Sequence, residues 1–309
     1  MNKNDKIYVS GHNGLVGSEV LKTLKNQGYT NIITKDRIEL DLTNQLKVET
    51  FFSNEKPDYV FLCAAKVGGI MDNNIRRAEF IYENMMIQNN VIHNSYINNV
   101  KKLLFLASSC VYPKNCQQPI KEEYLLTSEL EKTNEPYAIA KISGLKMIEN
   151  YNKQYGTKYI SVMPTNLYGS IHDNYDLEKS HVFAAMIRKF HDAKINNTDV
   201  YLWGDGTPYR EFLHISDLAD SLIFLMNNYN DNQILNIGTG IDITIKDLSS
   251  IISDVIGFKG KVYWDETKPN GTFRKLLDVS KINKLGWKHK IELVEGVKST
   301  YNIYKKNQQ

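Results

Sequence analysis

Three glycines constrain this chain more than any other feature. Gly11, Gly14 and Gly17 follow the first apolar run, Ile7, Tyr8 and Val9, and open a segment in which Val16, Val20 and Leu24 recur at helical spacing. A chain that leaves a strand, turns at once and enters a helix brings backbone against backbone, and a Cβ at these positions would obstruct it. The free N–H groups and the positive dipole end of that helix then form a seat for phosphate. Loop glycines without a ligand are the plain alternative. The strand-before, helix-after placement favours a dinucleotide site.

The first half repeats this alternation. Strands are expected at residues 6–10, 31–35, 58–63, 102–107 and 159–163. Helices are expected at 15–27, from a Thr43 cap through Phe52, over about 74–98, and after Pro136. Nearly continuous apolar strands between helices predict a parallel sheet covered on both faces. After about Pro164 the pattern is less regular. Short strands at Val200–Trp203 and Leu235–Ile237 mix with turns at 204–208 and 269–271. The expected fold is α/β: a Rossmann-type doubly wound parallel sheet over 1–168 and 209–238, with a smaller C-terminal α/β substrate-binding subdomain from 169–208 and 239–309.

Bulk properties narrow the function. A formal charge of +3 over 309 residues, with no basic block, argues against nucleic acid as a partner. Three cysteines, Cys63, Cys110 and Cys116, make a poor disulfide framework, and a reducing, cytoplasmic setting fits them. No apolar run approaches the roughly 18 residues that cross a bilayer, so no membrane partner is expected. The seven histidines are dispersed without metal-ligand spacing, so no metal site is expected.

Tyr137 and Lys141 are four apart on the helix after Pro136 and so share a face. An ammonium there should favour the phenolate and lower the phenol pKa from about 10, making it an acid or base for a carbonyl that gains or loses hydride. Spacing alone proves little, because Tyr175 with Lys179 and Tyr301 with Lys305 share it and read as surface pairs. Context separates the first pair: Ser108 lies just past the fourth strand, where open α/β sheets bind ligands. At the end of the second strand Lys35, Asp36 and Arg37 give a mixed signal. An acid suits a 2′-hydroxyl and NAD, whereas bases suit a 2′-phosphate and NADP. Asp41, further on, is a candidate contact for adenine.

These residues together resemble the extended short-chain dehydrogenase/reductases, and within them the GDP-4-keto-6-deoxy-D-mannose epimerase-reductases. The strings GHNGLVGS (11–18), AAKVGGI (64–70), SSCVYPK (108–114), NEPYAIAKI (134–142), MPTNLYG (163–169), WGDGTPYREFLH (203–214) and RKLLD (274–278) carry the resemblance over nearly the whole chain. It implies NADPH-dependent epimerisation of that keto-sugar at C3 and C5, then reduction at C4 to GDP-L-fucose.

By the same resemblance Cys110 is the epimerisation base and His181 the acid, while Tyr137, Ser108 and Lys141 serve the reduction. The cofactor would lie along Gly11, His12, Asn13, Gly14, Leu15, Val16 and Gly17, with Arg37 and Asp41 at its adenosine end. Pro164, Thr165, Asn166 and Leu167 would flank the nicotinamide, with Lys141 and His181 also in contact. Arg188, Trp203, Arg210, Asn270 and Lys275 match substrate contacts. The family usually has arginine where this chain has Asn13 and lacks an acid at Asp36, so NADH stays open beside NADPH; it often has aspartate at Asn270, a departure that bears on guanine recognition. The helices near 74–98 and 136–155 imply a homodimer by analogy.

Two other functions compete. An NAD-dependent 4-epimerase or 4,6-dehydratase would recycle its cofactor, but a dehydratase wants carboxylates after Ser108, where Ser109, Cys110 and Val111 stand. A non-catalytic dinucleotide-binding scaffold would need the glycines but not the reactive side chains.

Overall fold

The computed structural model describes every residue except Asn174, Glu178, Lys179, Pro269 and Gln309. Lys179 of the second Tyr/Lys pair and Pro269 of the 269–271 turn therefore lie outside the described residues.

The first half alternates as the apolar periodicity demands: β1 (Ile7–Ser10), α1 (Leu15–Asn26), β2 (Ile32–Ile33), α2 (Gln45–Glu55), β3 (Tyr59–Leu62), α3 (Ile70–Ile75), α4 (Arg77–Ile97), β4 (Lys102–Leu106), α5 (Glu135–Tyr155) and β5 (Ile160–Pro164). The remainder holds β6 (Asn166–Tyr168), α6 (Val182–Asn196), β7 (Val200–Trp203), β8 (Tyr209–His214), α7 (Ile215–Asn228), β9 (Leu235–Ile237), β10 (Asp242–Thr244), α8 (Ile245–Ile256), β11 (Val262–Asp265), β12 (Arg274–Lys275), α9 (Ser280–Lys284) and α10 (Leu293–Asn307).

Six strands form one parallel sheet in the order β2-β1-β3-β4-β5-β9. Helix α4 lies between α2 and α5, and α1 packs on α7. Both sheet faces are thereby covered, which is why β1, β4 and β5 are buried at every position. The chain leaves β1 toward β2 on one side and returns to β3 on the other. The crevice beyond the ends of β1 and β3 is thus the switch point where such sheets bind ligands.

A second core forms from Phe183, Ile187, Phe190, Phe212, Leu248, Ile252 and Tyr304. Strand β8 runs between β10 and β12 and also pairs with β6, and β7 pairs with β11. Leu277, Val279, Ile282 and Trp287 return to the larger core. Among the described residues no helix is long and apolar enough to cross a membrane.

Two local expectations need correction. Asn44, not Thr43, caps α2: its side chain accepts from the Lys47 N–H at 3.1 Å, while the Thr43 hydroxyl donates to Asp41 at 2.8 Å. The stretch expected as one helix over 74–98 is two. Arg76, at φ −102 and ψ 39, leaves helical backbone between α3 and α4.

Candidate active site

The turn after β1 is built for close approach. Gly11 sits at φ +71, and a Cβ there would stand 2.8 Å from the Ala64 backbone. A Cβ on Gly17 would strike the Gly11 carbonyl oxygen. The Gly14 N–H closes the turn on the Gly11 carbonyl at 2.9 Å. Helix α1 then starts with Gly14 at its N-cap, no capping side chain and no acid in its first turn. Its N–H groups and dipole are left for an anion. Beside them the Nδ1 of His12 is buried with no partner.

This loop floors a cleft of about 1190 Å³ that runs from the end of β2 past β4 and α5 to β7, β8 and β12. The cleft is lined by residues 11–17, Arg37, Asp41, Ser108, Cys110, Tyr137, Lys141, residues 164–167, His181, Trp203, Arg210, Asn270 and Lys275. Every candidate site residue read from the sequence reaches this wall except Arg188. Arg188 turns instead to Asp192, one helical turn on at 3.3 Å, and to the Tyr175 carbonyl at 3.2 Å; its neighbour Lys189 lines the cleft.

At the centre, Lys141 is 3% exposed and donates to the carbonyl oxygen of Leu106, the last residue of β4, at 2.9 Å. Burial pulls its pKa down to about 8, against the opposing influence of the Cys110 and Cys63 thiols. Its ammonium lies 5.7 Å from the centroid of the Tyr137 ring. The two residues share a face, but the expected lowering of the phenol pKa does not hold. Burial dominates and pushes it up, with the Cys110 charge adding in the same direction. The ammonium is committed to a carbonyl rather than to the phenol.

Ser108 accepts the Cys110 N–H at 3.3 Å, and its own proton has the Cys110 sulfur within reach as well as the cleft. Cys110 is buried and its thiol pKa is raised by that burial; Lys275 opposes the rise most, then the Ser108 hydroxyl and Lys141. Lys275 and Arg210 are both held below their usual values by burial. His181 occupies the N-cap of α6 with its ring open to the cleft, yet the protein around it pushes its pKa below the ordinary histidine value.

The segment 164–167 is pinned from behind. The Thr165 hydroxyl and the Asn166 amide donate to the Glu211 carbonyl oxygen at 3.2 and 2.9 Å. On the opposite wall Trp203 is capped by the Lys189 and Lys268 ammonium groups at 5.8 and 5.7 Å from its ring centroid. Asn270 accepts the Asp205 N–H at 3.0 Å.

The sequence reading missed a charged cluster beyond the end of β2. Lys66 and Glu83 line the cleft beside Arg37. Glu83 touches Arg37 at 3.3 Å and Lys66 at 2.6 Å. Lys66 stood inside a quoted string, but nothing in the letters pairs Arg37 with a residue 46 positions away.

This geometry has relatives. The model of the NAD dependent epimerase/dehydratase family matches residues 7–238. The GDP-L-fucose synthase 1 of Arabidopsis thaliana is 54% identical over 99% of this chain and 94% of its own length. The GDP-L-fucose synthase of Escherichia coli (strain K12) is 49% identical over 98% of this chain and 97% of its own. The solved GDP-mannoheptose C4 reductase of Campylobacter jejuni, with NADP bound, superimposes with a TM-score of 0.91 at 44% identity over 99% of each chain. With the match covering most of the chain and the glycine turn and Tyr137–Lys141 wall falling inside it, this protein belongs to the NAD dependent epimerase/dehydratase family.

Proposed function

We propose that the chain converts GDP-4-keto-6-deoxy-D-mannose to GDP-L-fucose, epimerising the sugar at C3 and C5 and reducing it at C4 with NADPH. One observation carries this reading. A hydroxyl, a phenol, an ammonium and a thiol (Ser108, Tyr137, Lys141, Cys110) meet at the ends of β4 and α5, in the cleft that Arg210 and Lys275 also line. The near-full-length likeness to GDP-L-fucose synthases supports it.

The residues suit the cofactor. A pyrophosphate fits the Cβ-free floor at Gly11 and Gly17, the uncapped start of α1 and the unpartnered His12 Nδ1. Arg37 and Asp41 would hold the adenosine end, Lys141 the nicotinamide ribose, and residues 164–167 the ring. When bound, NADPH supplies the hydride that the ketone carbon accepts.

The chain's own groups do the rest. Ser108 donates a hydrogen bond to the ketone oxygen and orients it. Tyr137 gives that oxygen its proton. Burial makes this phenol a weaker acid than a free tyrosine, so the transfer relies on the greater basicity of the alkoxide that hydride addition creates. Before reduction, the 4-keto group acidifies the hydrogens at C3 and C5. Cys110, as thiolate, removes them from one face and His181 supplies a proton on the other. Hydrogen bonds from Ser108 and Tyr137 to the enolate oxygen lower the barrier to both steps. Arg210 and Lys275, partly stripped of water, attract the diphosphate more strongly than surface cations would, and Trp203 offers a flat face.

The larger sheet over 1–168 and 209–238 serves the cofactor in this reading, and the remaining segments serve the sugar nucleotide. The working form is a cytoplasmic homodimer through α4 and α5, which lie side by side and leave Tyr82, Ile97, Ile139 and Tyr155 exposed; a monomer mass in sedimentation would exclude it. The test of the reaction is a product assay on the keto-sugar in deuterated water, with NADPH and NADH side by side. Cofactor oxidation with deuterium at C3 and C5 supports it. Reduction without deuterium removes the epimerase, and neither event removes the whole reading.

A further inference from the structure

We infer that Glu83 is a specificity-determining residue: it offsets Arg37 at the cofactor's 2′ position and lets the site take NADH as well as NADPH. The inference rests on the reading above, in which the adenosine ribose lies at Arg37.

The acid that the sequence offers for a 2′-hydroxyl, Asp36, is held by its own turn through one oxygen. One of its carboxylate oxygens accepts the N–H groups of Ile38 and Glu39 at 2.8 Å each, and Glu39 returns the contact to the Asp36 N–H at 3.0 Å. Lys35 is paired with Glu39 at 3.0 Å. The turn after β2 therefore ties down one oxygen of its acid and one of its two bases.

Arg37 is left, with a side chain 73% exposed, and among the described residues the one ion pair it makes is with Glu83. Glu83 projects from α4 into the same cleft and is anchored independently: its other oxygen holds Lys66, which also holds Glu79 at 2.8 Å. Movement of Arg37 toward a ligand leaves the Glu83 charge in place. A 2′-phosphate carries close to two negative charges and must share Arg37 with that fixed carboxylate. A 2′-hydroxyl can instead donate to it, the part an acid plays in NAD sites. Glu83 thus raises affinity for NADH and lowers it for NADPH, in the position the letters assign to Asp36.

The test compares Glu83→Gln, Glu83→Ala and Asp36→Asn with the unaltered protein, measuring dissociation constants for NADPH and NADH and for adenosine 2′,5′-bisphosphate and AMP. Removing the Glu83 charge should raise the NADPH-to-NADH affinity ratio about tenfold, with a matching change in the bisphosphate-to-AMP ratio that shrinks as salt is added. Asp36→Asn keeps the acceptor the turn needs and should leave the ratio within about twofold. Two Glu83 substitutions guard against one misfolding. An unchanged or lower ratio in the Glu83 variants, or an equal response from Asp36→Asn, overturns the inference. If the unaltered protein binds neither dinucleotide, the underlying functional reading falls instead.

Discussion

Lys141 donates to the carbonyl oxygen of Leu106 at 2.9 Å, pinning the face of α5 that carries Tyr137 to the end of β4. The bond holds a cation in a buried place, and burial has already brought its pKa to about 8. Single-turnover reduction should therefore fall as pH rises through about 8, when the ammonium is lost. Lys141→Met should cost two to three orders of magnitude at neutral pH.

Stability should respond to the same group with the opposite sign. Folded Lys141 titrates near 8 and the unfolded chain near 10.5, so the unfolded state binds the extra proton between these values. The contribution of Lys141 to stability rises with pH in that window. Measured against Lys141→Met, the unaltered protein should gain in melting temperature between pH 8 and 9.5. A relative loss over that range would place the lysine in a polar, not a desolvated, setting.

Tyr137→Phe separates the two half-reactions. The ring still fills its place against Phe80, 6.3 Å away between centroids, but the proton donor is gone. Reduction should drop by at least about a hundredfold. Cys110 and His181 remain, so deuterium should still enter the sugar from solvent, and mass spectrometry of recovered substrate reads it directly. Complete loss of exchange as well as reduction would mean that Ser108 alone cannot hold the enolate.

Much of this site was legible because its signals are local. The glycine turn, the strand before it and the helix after it occupy adjacent residues, and Tyr137 and Lys141 are one helical turn apart. What failed to show depends on distant packing. Nothing in the spacing says that burial outweighs the lysine at the phenol, or that Glu83 on α4 meets Arg37. Arg188 and Lys189 are adjacent letters on one helix, and only the direction of α6 decides which faces the cleft. The break at Arg76 has no glycine or proline to announce it. Asn44 and Thr43 are both good capping residues, and a shift of one position chooses between them.

Cys110 and Lys275 should titrate as neighbours. Burial raises the thiol pKa, and the lysine is the largest influence against that rise. Lys275→Met should move the midpoint of thiol alkylation by iodoacetamide to higher pH and slow deuterium exchange at neutral pH by about tenfold or more. Cys110→Ser, alone and combined with Lys275→Met, supplies the baseline, since Cys63 is pushed up to about 12 and should contribute little while Cys116 also feels Lys275. An alkylation midpoint indifferent to Lys275→Met would mean that the cation acts on the diphosphate alone.

Two glycine substitutions distinguish a backbone that binds from one that merely turns. Gly28, just past α1, has φ +82 and open space around it, so Gly28→Ala strains only its own dihedral. It should cost about 1 kcal/mol of stability and leave dinucleotide affinity unchanged. Gly17→Ala puts a methyl group on the Gly11 carbonyl oxygen, and the start of α1 must swing away from β1 to admit it. Overpacking of this kind costs about 1–3 kcal/mol. The same movement takes the helix N–H groups off the phosphate position, so NADPH affinity should fall at least tenfold as well. Unchanged NADPH affinity in Gly17→Ala despite its lower melting temperature would show that the close approach of helix and strand serves packing alone.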